Sequence, residues 1–124
     1  MAELKLANHY QDRGTYEFEL VDKDLGTIGL IQIRTNPSAS SNLPLEMASH
    51  IYYEIKPEFR EQGYGHELLR LGLVEAKQLG LDEVFITTYE DNHPSKKMIE
   101  KAGGILQSQI DVDGRKFLKY QVKI

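Results

Sequence analysis

Ile55-Lys56-Pro57-Glu58-Phe59-Arg60-Glu61-Gln62-Gly63-Tyr64-Gly65 carries the chain out of a strand, through a turn and into a helix. Before it, Ser49 to Lys56 is rich in β-branched and aromatic residues and stops at Pro57, which has no N–H to give a sheet. After it, Gly65, Leu68, Leu69, Gly72, Leu73, Ala76 and Leu79 step by three and four, so Gly63 to Leu79 reads as an amphipathic helix stopped by Gly80. Val84 to Tyr89 is a short apolar strand on the far side of that helix. A strand-helix-strand crossover makes its two strands parallel neighbours with the helix on one face.

Upstream, Tyr16, Phe18 and Leu20 alternate with Glu17 and Glu19, then Asp22 to Gly26 turns the chain into Thr27 to Arg34, giving a β-hairpin. The first ten residues carry no firm pattern. Thr35 to Pro44, with two prolines, three serines and two asparagines, reads as a loop. Downstream, Asn92 can cap a second helix with Pro94 in its first turn, running to about Ala102 before Gly103-Gly104. Ile105 to Val112 and Arg115 to Ile124 flank Asp113-Gly114, a hairpin signal. The order β-β-β-α-β-α-β-β predicts a mixed α/β or α+β sheet with helices packed on it and antiparallel hairpins at its ends.

The 124 residues suit one domain, taken as 1–124, since single cores commonly hold on the order of 100 to 150 residues. At 40% hydrophobic and 27% charged the composition is that of an ordinary soluble chain, with no apolar run approaching a membrane span and no secretory leader at Met1 to Lys5. A cytoplasmic location is the expectation. The absence of cysteine removes disulfides, thiolate metal sites and a thiol nucleophile. A net charge of −4 disfavours nucleic acid, and the densest basic group, Lys96, Lys97 and Lys101, suits one phosphate better than a polynucleotide or else forms a solvated helix face. His9, His66 and His93 show no metal spacing.

Arg60 to His66 lies where the first N–H groups of a helix lack internal partners and the helix dipole adds positive character, a setting for an anion. Glycines at 63 and 65 would let backbone approach a pyrophosphate, or serve only a tight turn and close helix packing. A Gly-x-Gly arises by chance about 0.6 times in a chain this long. No Gly-x-x-x-x-Gly-Lys is present and the third residue after Gly65 is Leu68, so neither the P-loop nor the dinucleotide fingerprint is complete.

The segment Ile55 to Gly65 resembles the strand-loop-helix signature of GNAT-type N-acetyltransferases, whose Arg/Gln-x-x-Gly-x-Gly/Ala loop holds the coenzyme A pyrophosphate. Asp91 to Gly104, with Asn92-His93-Pro94-Ser95 and a Glu100-Lys101-Ala102-Gly103 stop, resembles the segment after that family's next strand. Together with Leu45-Glu46 to His50-Ile51, these are most similar to a bacterial branch of small predicted acetyltransferases. The resemblance runs from about Thr15 to the C-terminus.

It implies a GNAT-like fold shortened at its N-terminus and acetyl-CoA as cosubstrate, with no metal. Ile55 would contact pantetheine where its strand splays from Val84 to Tyr89. Arg60 and the N–H groups of Gln62, Gly63, Tyr64, Gly65 and His66 would hold pyrophosphate. Asn92 and Ser95 would approach the pantetheine arm, and Lys96 or Lys97 the outer phosphate. The implied reaction is direct acetyl transfer to a primary amine of a small molecule or peptide; the alternative is a catalytically idle coenzyme A-binding sensor or assembly module.

A lysine-like amine is neutral only about once in several thousand molecules at pH 7, so attack needs a base. Glu54, if partly desolvated, is one candidate and His50 on the same strand face is the other, each with a cross-strand structural role as the alternative. Many family members have a Tyr seven residues after the Asn to protonate the thiolate, but Ile99 stands there, leaving Ser95, Tyr89 or water to substitute, or a thiolate that leaves unprotonated. The strand and paired helices that in the family commonly precede the first hairpin and wall the acceptor side are expected to be almost absent, with only Met1 to Gly14 to replace them, so a second subunit of a homodimer or the 35–44 loop could close it.

Overall fold

The computed structural model describes residues 2–38 and 47–124. Two antiparallel sheets carry the chain. The first has the order β1 (Ala2–Tyr10), β2 (Thr15–Asp22), β3 (Gly26–Ser38), β4 (Ser49–Ile55); the second places β7 (Arg115–Lys123) between β5 (Glu83–Tyr89) and β6 (Ile105–Val112). Helix α1 (Tyr64–Gln78) connects the sheets, and α2 (His93–Lys101) follows β5.

Alternation decides which face of each strand is buried. Phe18 and Leu20 of β2, Ile28, Ile31 and Ile33 of β3 and Ile51 of β4 meet Leu68, Leu69 and Ala76 of α1 in one core with Val84, Ile86, Leu118, Tyr120 and Val122 of the second sheet. Gly72 sits on the buried stripe of α1 because a Cβ there would come within 2.4 Å of Ile31 Cδ1. Asp113 and Gly114 have φ of 50° and 81°, the left-handed pair that a tight hairpin demands.

Three expectations need correction. The strand before the first hairpin, expected to be almost absent, is present: residues 2–10, which carry no firm pattern, form β1 against β2, and the register slips between Leu6 and Asn8, with Leu6 58% exposed. Thr35 to Ser38, expected in a loop, continue β3, and Pro37 falls inside the register slip between Ile33 and Ser38 where no ladder N–H is required. The remainder of that expected loop, and Leu45-Glu46, lie outside the described residues. Finally, β4 and β5 are neighbours without a backbone ladder between them: the first sheet ends at β4 and the second begins at β5.

Candidate active site

Side chains bridge the seam between β4 and β5. The Phe85 N–H donates to His50 Nδ1 at 2.9 Å and the two rings stack with centroids 5.6 Å apart. Accepting through Nδ1 requires a neutral imidazole with its proton on Nε2. Burial pushes the His50 pKa down, with Glu83 pulling it up and Lys119 lowering it further. Toward α2, the Tyr53 hydroxyl and Ser95 Oγ form a short hydrogen bond.

Beyond these bridges the sheets part around a cleft of about 860 Å3, within the size range of small-molecule sites. Tyr53, Glu54 and Ile55 line it from β4, Arg60, Glu61, Gly63, Gly65 and His66 from the loop and first turn of α1, and Asn92, His93, Ser95, Lys97 and Met98 from the start of α2.

The loop offers an anion cradle at one end. Gly63 is the N-cap of α1 and has no side chain to cap it; the first helical bond runs from Glu67 N–H to the Gly63 carbonyl at 3.3 Å, so the N–H groups of Tyr64, Gly65 and His66 precede the ladder. Gly63 adopts φ 86°, and a Cβ there would meet nothing within 4 Å: backbone conformation, not crowding, demands glycine. Gly65 differs, since its Cβ would lie 2.6 Å from Met98 Sδ, so its small size lets α1 approach α2. Arg60 and Lys97 give the cleft cationic groups, while Glu61, held at φ 61°, lines it as well.

Other site residues have prior engagements. Arg60 Nε donates to the Ile55 carbonyl at 3.0 Å, occupying one acceptor position of the strand group expected to meet pantetheine. Gln62 Nε2 donates to the Glu58 carbonyl at 3.1 Å, and Tyr64 packs edge-on to Phe59; neither lines the cleft. Asn92 Oδ1 caps α2 by accepting from the Ser95 N–H at 3.2 Å. Lys97 lines the cleft and Lys96 does not.

Of the two base candidates, Glu54 is exposed, lines the cleft and accepts from the Tyr52 hydroxyl at 2.8 Å. The partial desolvation expected of Glu54 is therefore not found. His50 is buried, lies outside the cleft and has Nδ1 committed to Phe85. Ile99 is fully buried in the core. Tyr89 carries Arg115 over its ring, with the guanidinium carbon 3.3 Å from the centroid, and is not part of the cleft wall.

Tyr53, Glu61, His93 and Met98 were not singled out as site residues by the sequence. Tyr53 directly precedes Glu54, and strand alternation sends the two to opposite faces; both reach the cleft because it passes through the opening between sheets. His93 and Met98 follow from the spacing of α2 once Asn92 is its cap. Among the described residues no cluster of His, Asp or Glu is arranged to hold a metal, and no helix is long and apolar enough to cross a membrane.

A sheet that opens beside an uncapped helix N-terminus defines an acyl-CoA N-acyltransferase type of fold. Residues 1–105 match the family described as the acetyltransferase (GNAT) domain, and the chain belongs to that family. Among solved structures, one provisionally described as a phosphinothricin N-acetyltransferase superposes with a TM-score of 0.77 at 17% identity, over 100% of this chain and 99% of that one. Spermidine N-acetyltransferase from Vibrio cholerae, in complex with CoA and spermine, gives 0.73 at 16% identity over 91% of this chain and 68% of that one. The NatC complex bound to Gag peptide and CoA gives 0.67 at 14%, over 87% and 70%. These TM-scores show a shared fold. Among curated proteins none matches this sequence.

Proposed function

We propose that this protein is an acetyl-CoA-dependent N-acetyltransferase acting on a primary amine of a small molecule or peptide. The observation that carries this is the cleft between β4 and α2, with a helix N-terminus that no side chain caps at its α1 end and Glu54 in its wall. The N–H groups of Tyr64, Gly65 and His66, with Arg60 and Lys97, would hold the phosphates. Tyr53 to Ile55 and Asn92 to Ser95 form the walls for the pantetheine arm, which presents an activated acyl group. Related folds seen with CoA and spermine, or with CoA and a peptide, support an amine acceptor of either size.

Glu54 is assigned as the base that removes the amine proton, directly or through water, because it is the carboxylate residue that β4 contributes to the cleft wall. His50 is assigned to hold the two sheets together at the seam. Buried Ile99 supplies no proton donor, which keeps the second reading alive: a coenzyme A-binding domain without turnover.

Calorimetry and thermal shift with acetyl-CoA test the binding step, since a ligand of the folded state raises the melting temperature. Adenosine diphosphate alone should raise it less. Release of free thiol from acetyl-CoA in the presence of spermidine, lysine and a lysine-containing peptide tests the chemistry. Binding without thiol release favours the second reading, and no heat or shift at saturating acetyl-CoA removes both.

A further inference from the structure

The bridge between Tyr53 and Ser95 joins the two walls of the cleft at a definite place. Ile55 is next to the phosphate-side loop, and Tyr53 lies two residues farther along β4, about 6.6 Å at the usual rise per residue. A ligand anchored by its phosphates at the start of α1 and extending along β4 therefore carries its far end toward Tyr53. Glu54 and Tyr53 occupy opposite faces of the strand, Glu54 beside Tyr52 and Tyr53 bonded to Ser95 of α2. An acyl group running along the Tyr53 face of β4 would have the phenol beside it.

Resting on the acetyl-transfer reading above, we propose that the Tyr53 hydroxyl, oriented by Ser95, donates a hydrogen bond to the sulfur of the departing coenzyme A thiolate. In the balanced reaction, the amine nitrogen forms its bond to the acetyl carbon and the carbon–sulfur bond breaks with its electron pair going to sulfur. The proton lost by the amine passes to Glu54 or water and is later taken up by the thiolate from solvent. Tyr53 keeps its own proton throughout. Burial raises its pKa above 10.0, against the weaker lowering effect of the Ser95 bond, whereas a thiol titrates near 8.5. Full transfer from phenol to thiolate is uphill, and a standing donor is what such a group supplies. Ser95 is buried and fixed at the first turn of α2, so it holds the hydroxyl without exposing it to bulk water.

The test uses free coenzyme A bound to the full-length protein, with the thiol titrated by thiolate ultraviolet absorbance. A hydrogen bond to a charged group should make the bound thiol about one unit or more acidic relative to the Tyr53→Phe complex. Ser95→Ala should move it the same way by less, and provides the comparison if Tyr53→Phe does not fold. Calorimetry on each variant establishes that coenzyme A is bound. An identical thiol titration in the wild type and both folded, ligand-bound variants overturns the role of Tyr53 while leaving the cofactor assignment intact. Failure of the wild type to bind coenzyme A removes the assignment itself and this inference with it.

Discussion

His50 Nδ1 accepts the backbone N–H of Phe85 at 2.9 Å, and that one side chain supplies a hydrogen bond where the β4–β5 ladder is missing. The bond exists only while the imidazole is neutral. Burial lowers the folded pKa below the ordinary 6.5, so near that pH the unfolded chain binds more protons than the folded one. The stability this contributes is fully present above pH 6.5 and is lost as pH falls through the folded value. Melting temperature followed from pH 8 to pH 5 should fall on the acid side more steeply in the wild type than in His50→Gln, which cannot titrate. His50→Ala should cost about 1–3 kcal/mol in urea unfolding by orphaning the Phe85 N–H. Parallel pH curves for wild type and His50→Gln would sink the linkage.

Gly65 and Met98 are coupled through space. A Cβ at 65 would sit 2.6 Å from Met98 Sδ, so Gly65→Ala should lose about 1–3 kcal/mol through overpacking, although alanine suits a helix better. Met98→Ala removes the obstacle and leaves a cavity of its own. The double variant should therefore be less destabilised than the sum of the two single changes, by roughly 0.5 kcal/mol or more. Simple additivity in urea unfolding would mean that Met98 moves aside freely.

Much of this fold is legible in the sequence, and the exceptions have physical causes. Tyr16 to Leu20 and Leu118 to Ile124 announce their strands because one face of each is buried, and Asp113-Gly114 announces its turn because both positions need positive φ. β1 is hidden because a register slip and a largely exposed edge erase the alternation. The glycine loop and the Asn92 cap are local patterns and can be read directly. The Tyr53–Ser95 contact joins residues 42 positions apart, and neither residue type in its own element signals the other. The burial of His50 is hidden for a similar reason: its partner is a backbone N–H on a strand brought alongside by α1.

Glu61 carries a conformational and an electrostatic penalty at once. Its φ of 61° is left-handed, which costs a residue with a Cβ roughly 1–2 kcal/mol, and its carboxylate lines the cleft beside the anion cradle. Glu61→Gly relieves the strain at the expense of chain entropy, about 0.5–1 kcal/mol. The net effect on stability should lie between neutral and about 1.5 kcal/mol stabilising. Coenzyme A affinity should rise by a few fold at low salt, and the gain should shrink as salt screens the removed charge. Calorimetry at two ionic strengths measures it, and weaker binding in a well-folded variant would mean that Glu61 supports the loop.

Glu54→Gln isolates the proposed base. The amide keeps the shape and can still accept from the Tyr52 hydroxyl, which the carboxylate now accepts at 2.8 Å, but it cannot take a proton. Turnover should drop by about 100-fold or more, with acetyl-CoA affinity nearly unchanged, because the proposed role of Glu54 is toward the amine and not toward the phosphates. The acidic limb of the pH–rate profile should disappear with it. Tyr52→Phe provides the complementary reading: it removes the hydroxyl that donates to Glu54 and leaves the carboxylate in place, so turnover should stay within about a few fold of the wild type rather than show the loss seen in Glu54→Gln. If Glu54→Gln retained full turnover while His50→Gln lost it, the base would be the histidine, reached through motion of the β4–β5 seam. Full activity in both would leave deprotonation of the amine to solvent.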